Sequence, residues 1–136
     1  MYKISDKGKE FIKTELDRYE TKRSAIIPCL FMLQKENGGW VSPDCIAALA
    51  EESGIIEAHI NEVFHFYTMF NKKPVGKLHV QVCNNISCCM NGSRDVITKL
   101  CTEFGVGIDE MTADGKLTVT PVECLGSCDT APMMQV

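Results

Sequence analysis

The 136-residue sequence lacks several features that would place it in common functional classes. It has no block of Lys and Arg, and its net charge is −4, so the basic surface expected of a nucleic-acid-binding protein is missing. Its longest apolar run, residues 25–33, is too short to cross a bilayer. The first ten residues contain no apolar segment that could act as a secretory signal. We therefore expect a cytoplasmic protein with no nucleic-acid partner and no direct membrane insertion.

Motifs for nucleotide binding and for dithiol exchange are also missing. The sequence contains neither G-x-G-x-x-G nor a phosphate-binding P-loop. No two of its cysteines have the Cys-x-x-Cys spacing of thioredoxin-type active sites, which disfavours a dithiol oxidoreductase. The predicted helices carry no paired carboxylates and no nucleophile beside an obvious base, so we predict no catalytic residue.

What the sequence does have is an ordinary globular composition and many cysteines. Hydrophobic residues make up 45% and charged residues 24%, as in typical compact domains. In a reducing compartment an even set of cysteines indicates a metal site or redox chemistry rather than disulfides. The eight cysteines are Cys29, Cys45, Cys83, Cys88, Cys89, Cys101, Cys124 and Cys128.

The periodicity of apolar residues divides the chain into two domains of an α+β protein. Residues 1–73 read as an N-terminal helical bundle, because apolar side chains recur there at helical spacing. Residues 74–136 mix strands with one long helix, with 71–77 as a polar linker at the junction. The positions predicted to face the helical core are Phe11, Ile12, Leu16, Tyr19, Ile27, Leu30, Phe31, Ile46, Leu49, Ala50, Ile60, Val63, Phe64 and Tyr67.

Local signals set the predicted ends of several elements. Ser42 followed by Pro43 is typical of a helix start. Phe66 and Phe70 are predicted to lie on a face other than the inward stripe of the fourth helix, where they meet the second domain or a partner. In the second domain the alternation of residues 78–82 predicts a strand, followed by a loop over 84–92. A helix is then predicted with Ser93 as its cap, and a second strand over 117–122 is predicted to break near Pro121.

Two pairs of cysteines stand just beyond the two predicted strands. Four residues separate Cys83 from Cys88, and three separate Cys124 from Cys128. If the strands are neighbours in one sheet, both loops leave the same edge and the four sulfurs can converge. Converging thiolates repel one another and need a cation, which a tetrahedral zinc ion or an iron–sulfur cluster would supply.

The spacing alone leaves both kinds of centre open, although the loops favour a cluster. Zinc sites accept two to four residues between paired cysteines, and both pairs meet that condition. Small polar residues that can donate hydrogen bonds to sulfur surround the pairs, as expected around a cluster whose potential is tuned by the protein. These predicted donors are Asn84, Asn85, Ser87, Ser127 and Thr130.

The remaining metal-ligating side chains are predicted to have other roles. Cys89 adjoins Cys88, but neighbouring side chains diverge in most loops, so Cys89 is not expected to be a ligand. His79 lies on the same strand face as Cys83, yet a mixed His/Cys site needs a second histidine. We therefore expect His79 to face solvent. Cys29, Cys45 and Cys101 lie on predicted helices and are expected to be buried as small apolar groups.

The order of these motifs resembles the thioredoxin-like [2Fe-2S] subunit of respiratory complex I, the NADH dehydrogenase E-chain family. The resemblance spans nearly the whole chain. In the first half it is carried by RSAIIPCLFMLQKENGGWVSPDCI and by EVFHFYTMF followed by PVGK. In the second half it is carried by the spacing of the first cysteine pair, by Asn91-Gly92-Ser93 and by TADGKLTVTPVECLGSCDTAPMMQV.

The resemblance implies a cofactor, a partner and a function. It implies one [2Fe-2S] cluster held by Cys83, Cys88, Cys124 and Cys128 in a thioredoxin-like C-terminal domain. It also implies an electron-transfer subunit of NADH:quinone oxidoreductase, without standalone activity, beside a flavoprotein subunit that binds FMN and NADH. Such a larger complex would hold the chain peripherally at the inner face of the membrane.

Some departures and alternatives accompany the resemblance. Cys89 stands where the family usually has an aliphatic residue or methionine. The chain ends at Val136 where the family normally continues, which predicts either a truncated C-terminal end or a minimal domain. One alternative is a diaphorase-type subunit of an NAD-linked hydrogenase or formate dehydrogenase. An alternative of a different class is a zinc-stabilised interaction module, in which the metal contributes only folding energy.

Overall fold

The computed structural model describes residues 2–136 and has the α+β architecture predicted from the sequence. The chain divides into two compact units, with the boundary between Pro74 and Val75. The first unit is helical, and the second contains a small sheet with helices. Among the described residues, none of the helices combines the length and the apolar character that a bilayer crossing requires.

The first unit consists of four α-helices and one short 3-10 turn. The helices are α1 (Asp6–Arg18), α2 (Ile26–Glu36), α3 (Pro43–Ser53) and α4 (Glu57–Phe66), and the 3-10 turn covers Lys22–Ala25. The predicted start of α3 is confirmed, because the Ser42 side chain accepts the Cys45 N–H. Ser5 caps α1 in the same way by accepting the Gly8 N–H.

The helical core differs from the prediction at five aromatic residues. Three of them were predicted to face the core but are 37–38% exposed, namely Phe11, Tyr19 and Tyr67. Helix α2 buries Leu30 and Leu33, whereas Phe31 is 44% exposed. Phe70 is only 2% exposed and packs against the rings of Phe31 and Phe64, at centroid distances of 5.1 and 6.4 Å. The prediction for Phe70 was therefore wrong: the chain after α4 folds back onto the core, which helical periodicity alone could not show.

The second unit contains three strands and two α-helices. The strands are β1 (Leu78–Cys83), β2 (Leu117–Val122) and β3 (Met134–Gln135), and the helices are α5 (Ile86–Met90) and α6 (Ser93–Phe104). The order in the sheet is β2-β1-β3, with β2 parallel and β3 antiparallel to β1. Its core is formed by Val80, Val82, Ile97, Val106, Leu117 and Val119.

Three local predictions for this unit need correction. Strand β2 does not break at Pro121 but continues to Val122, because β2 is at the sheet edge, where a missing N–H is tolerated. Part of the predicted loop 84–92 folds as the short helix α5. Gly92, with a φ of 89°, is the N-cap of α6, and Ser93 is its buried first residue rather than its cap.

Candidate metal centre

The parallel pairing of β1 and β2 brings the carboxyl ends of both strands to one edge of the sheet. Cys83 is in register with Val122, and the Asn84 N–H donates to the Val122 carbonyl over 2.8 Å. The two strands are therefore neighbours in one sheet, which is the condition set for the two loops to leave the same edge. Both cysteine-bearing loops begin at this edge.

The first cysteine pair is buried and held by regular structure. Cys83 is the last residue of β1, and Cys88 lies in the middle of α5. Only two residues connect the end of β1 to the start of α5. The side chain of Asn85 caps α5 by accepting the Ile86 N–H over 2.8 Å. The thiols of Cys83 and Cys88 are hydrogen-bonded to each other, so α5 places its cysteine against the end of the strand.

The second pair lies on the exposed loop that follows β2. The sulfur atoms of Cys124 and Cys128 are 3.5 Å apart. Gly126 turns the chain between them with a φ of 81°, a conformation that favours glycine, and its N–H donates to the Cys124 sulfur over 3.4 Å. Both cysteines of this pair are exposed.

Backbone groups from later parts of the chain join the two pairs. The N–H of Leu125, in the second loop, donates to the Cys83 sulfur, and the N–H of Met133 donates to the Cys88 sulfur. The Cys83 N–H in turn donates to the Met133 carbonyl over 3.0 Å. The loop after β2 and the segment before β3 therefore both reach the first pair.

The charges of the four thiols act on one another. Hydrogen bonding to the Asn85 N–H lowers the pKa of Cys83, while burial raises the pKa of Cys88. The hydrogen bond to Cys124 raises the pKa of Cys128, and the charges of all three other thiolates add to that rise. Ionising all four therefore calls for a compensating positive charge.

The arrangement of the donors fits a binuclear iron–sulfur centre. The sulfurs form two contacting pairs with backbone N–H donors around them, and four cysteine thiolates are the ligand set of a [2Fe-2S] cluster. Within residues 2–136, no three or more His, Cys, Asp or Glu side chains are grouped closely enough to hold a single metal ion.

Cys89, which the sequence predicts to be a non-ligand, makes contacts of its own. Its thiol donates to the Asn84 carbonyl oxygen at 3.2 Å and lies 2.9 Å from Asn84 Oδ1. The Ser93 hydroxyl donates to the Cys89 sulfur over 3.9 Å. Cys89 thus links Asn84, the first residue after β1, to Ser93, the first residue of α6.

His79 and the remaining cysteines lie apart from the four thiols. His79 is half-buried instead of solvent-facing, and its Nε2 lies 2.9 Å from Thr120 Oγ1 on the neighbouring strand. Burial lowers the pKa of His79. Cys29 and Cys45 are fully buried in the helical core, and burial raises the pKa of Cys29 to about 12. Cys101 is half-buried and packs against the core of the second unit.

The hydrogen bonds to sulfur come mainly from groups that sequence reasoning missed. The predicted side-chain donors Ser127 and Thr130 bond to each other, with 2.8 Å between their hydroxyl oxygens. The sulfurs of Cys83, Cys88 and Cys124 instead accept from backbone N–H groups, which every residue type except proline supplies. The sequence signals for such an approach were Gly92 and Gly126: the Gly126 N–H donates to the Cys124 sulfur, whereas the Gly92 N–H donates to the Cys89 carbonyl.

A mixed α/β unit that gathers four cysteines at one sheet edge has the form of an iron–sulfur protein. Residues 12–136 match the model of the thioredoxin-like [2Fe-2S] ferredoxin family. The chain belongs to this family, and its cofactor is accordingly a [2Fe-2S] cluster.

Two relatives agree with this assignment, and both are E-type subunits of NADH-quinone oxidoreductase. The chain is 41% identical over 128 residues to the one from Rhizobium meliloti (strain 1021), covering 94% of this chain and 76% of that protein. It is 44% identical over 116 residues to the one from Rickettsia conorii (strain ATCC VR-613 / Malish 7), covering 85% of this chain and 69% of that protein.

A solved structure shares the fold. It is the crystal structure of an NAD+-reducing [NiFe]-hydrogenase in the air-oxidized state, with a TM-score of 0.64 and 21% sequence identity. The match covers 77% of this chain and 18% of the hydrogenase chain. At this identity the likeness supports the fold alone.

Proposed function

We propose that Cys83, Cys88, Cys124 and Cys128 hold one [2Fe-2S] cluster. The observation that carries the proposal is the set of hydrogen bonds that later parts of the chain make to the first pair, from the Leu125 and Met133 N–H groups. The thiolates would bind the iron, and the backbone N–H donors would stabilise the negative charge on sulfur. When bound, the cluster takes up and gives back one electron at a time.

The chain is further proposed to be an electron-transfer subunit of NADH:quinone oxidoreductase. Relatives that carry this name in Rhizobium and Rickettsia are 41% and 44% identical to the chain over most of its length. Electron transfer requires no acid, base or nucleophile from this chain, in agreement with a site built from thiolates and backbone N–H groups. The subunit would act peripherally to the membrane, at its inner face, through the larger complex.

The proposed partner is a flavoprotein subunit that binds FMN and NADH. NADH gives up two electrons as a hydride, whereas a [2Fe-2S] cluster takes one electron at a time, so a flavin must stand between them. The sequence has no nucleotide-binding motif of its own. One face of the centre is open to such a partner, because Cys124 and Cys128 are exposed.

A diaphorase-type subunit of an NAD-linked hydrogenase is the second candidate. The observation that favours it is the shared fold with the NAD+-reducing hydrogenase chain. The 21% identity of that match is about half of the identity to the oxidoreductase subunits, which favours the first candidate.

We expect the purified, cluster-loaded chain to show no NADH-driven reduction of an artificial acceptor. Addition of the cognate flavoprotein subunit with FMN should restore turnover and should reduce the cluster, because the flavin splits the hydride into single electrons. The measurement is NADH oxidation followed at fixed chain concentration, with the cluster's visible absorbance recorded in parallel. FMN added without the flavoprotein is the control. Appreciable turnover by the chain alone would contradict the proposed division of labour.

A further inference from the structure

A single carboxylate is fixed beside the proposed centre by a side chain from the opposite loop. Glu123 directly precedes Cys124, and its Oε2 accepts a hydrogen bond from Asn85 Nδ2 over 3.0 Å. The two residues are 38 positions apart in the sequence, so the contact exists only because β1 and β2 are neighbours.

Asn85 makes three contacts that fix its position. Its backbone N–H donates to the Cys83 sulfur, its Oδ1 accepts the Ile86 N–H, and its Nδ2 holds Glu123. Rotation of the Asn85 side-chain amide would therefore break its bond to Ile86 or its bond to Glu123. The Glu123 carboxylate is thereby fixed at the sheet edge from which the two cysteine-bearing loops begin.

Glu123 is tied by position to both cysteine pairs. It is the sequence neighbour of Cys124, and Asn85, whose side chain holds its carboxylate, lies two residues after Cys83. The ion pairs within the described chain, residues 2–136, do not include Glu123, so its carboxylate has no directly paired cation there. Reduction adds one more negative charge to a cluster, and a nearby carboxylate opposes that addition.

We propose that Asn85 and Glu123 form a charge clamp, which holds one negative charge beside the centre and thereby lowers the reduction potential of the cluster. The inference rests on the proposed ligation by the four cysteines. Glu123 acts here as a positioned charge and not as a ligand. Because Glu123 is exposed, salt screens its effect, and the contribution of the clamp should shrink as ionic strength rises.

The test is a redox titration of the full-length, cluster-loaded chain and of its Glu123→Gln variant. Glutamine keeps an oxygen that can accept from Asn85 and removes only the charge. At low salt and a fixed applied potential, the ratio of reduced to oxidised cluster should be about threefold higher in the variant. For a one-electron couple a tenfold change in this ratio corresponds to 59 mV, so the expected rise in reduction potential is roughly half of that value. The rise should diminish in high salt.

Two further variants distinguish the effect of a carboxylate held in place by Asn85 from the effect of any carboxylate next to a cysteine of the site. Asp129→Asn removes an exposed carboxylate that also adjoins a cysteine of the site, and it should shift the potential much less. Asn85→Ser keeps a cap oxygen for α5 but loses the donor to Glu123, so it should shift the potential in the same direction. Adding Glu123→Gln to Asn85→Ser should give less than the sum of the two shifts, because both remove one interaction.

Iron and sulfide contents of each preparation distinguish the two proposals. A wild-type chain without a cluster would overturn the proposed ligation and the clamp together. A normal cluster whose potential is the same in Glu123→Gln, or shifts no more than in Asp129→Asn, would overturn the clamp alone. Loss of the cluster in Glu123→Gln, with an unshifted potential in Asn85→Ser, would assign Glu123 a structural role and would also overturn the clamp.

Discussion

Each single replacement of Cys83, Cys88, Cys124 or Cys128 by serine should remove or strongly perturb the cluster, whereas Cys89→Ser should leave it intact. A serine oxygen is a harder and more basic ligand than a thiolate, so iron retention at that position should fall. Cys89 instead donates to Asn84, and serine can make a similar bond. The measurements are the iron content and the reduced-state EPR spectrum of each anaerobically purified variant.

The Cys88 and Cys89 variants form a matched pair, because the two residues are adjacent on α5. We expect the Cys88→Ser chain to lose most of its iron and the Cys89→Ser chain to retain wild-type iron. An unaltered EPR spectrum in Cys124→Ser, or loss of the signal in Cys89→Ser, would contradict the assigned ligand set.

Gly76→Ala should strongly destabilise the second unit. A Cβ atom at this position would lie 2.5–2.7 Å from backbone atoms of Leu117, and the Gly76 N–H donates to Thr118 Oγ1 over 2.8 Å. Backbone in a parallel strand cannot yield as a side chain can, so we expect a loss of about 3 kcal/mol in the free energy of unfolding. Urea titration, followed by the visible absorbance of the cluster, reports on this unit.

Gly107→Ala is the matched control for this substitution. Its added Cβ would meet Glu110 Oε2 at the same 2.5 Å, but that atom is the end of a flexible side chain. The free energy of unfolding should therefore change by less than about 1 kcal/mol. Equal urea midpoints for the two variants would show that the close approach of Gly76 to β2 does not limit stability.

Sequence reasoning succeeded where neighbouring residues set the structure. The Ser42-Pro43 start of α3 follows from local capping, and the burial of Val80 and Val82 follows from strand alternation. The condition under which the two cysteine pairs could converge, that their strands are neighbours in one sheet, is met by the parallel pairing of β1 and β2.

The failures concern contacts between distant parts of the chain. Gly76 reads as part of a polar linker, yet it is buried against β2. Phe70 is buried because the chain turns back after α4, and Pro121 stays within β2 because that strand lies at the edge. The link from Asn85 to Glu123 spans two loops, and no periodicity or motif encodes it.

Binding of one [2Fe-2S] cluster by this chain is tested most directly by the metal and sulfide content of the anaerobically purified protein, read together with its visible spectrum. We predict a red-brown protein with about two iron and about two sulfide per chain, as four cysteine thiolates around a [2Fe-2S] cluster require. A colourless protein with about one zinc per chain would instead indicate a structural zinc site and would contradict the account.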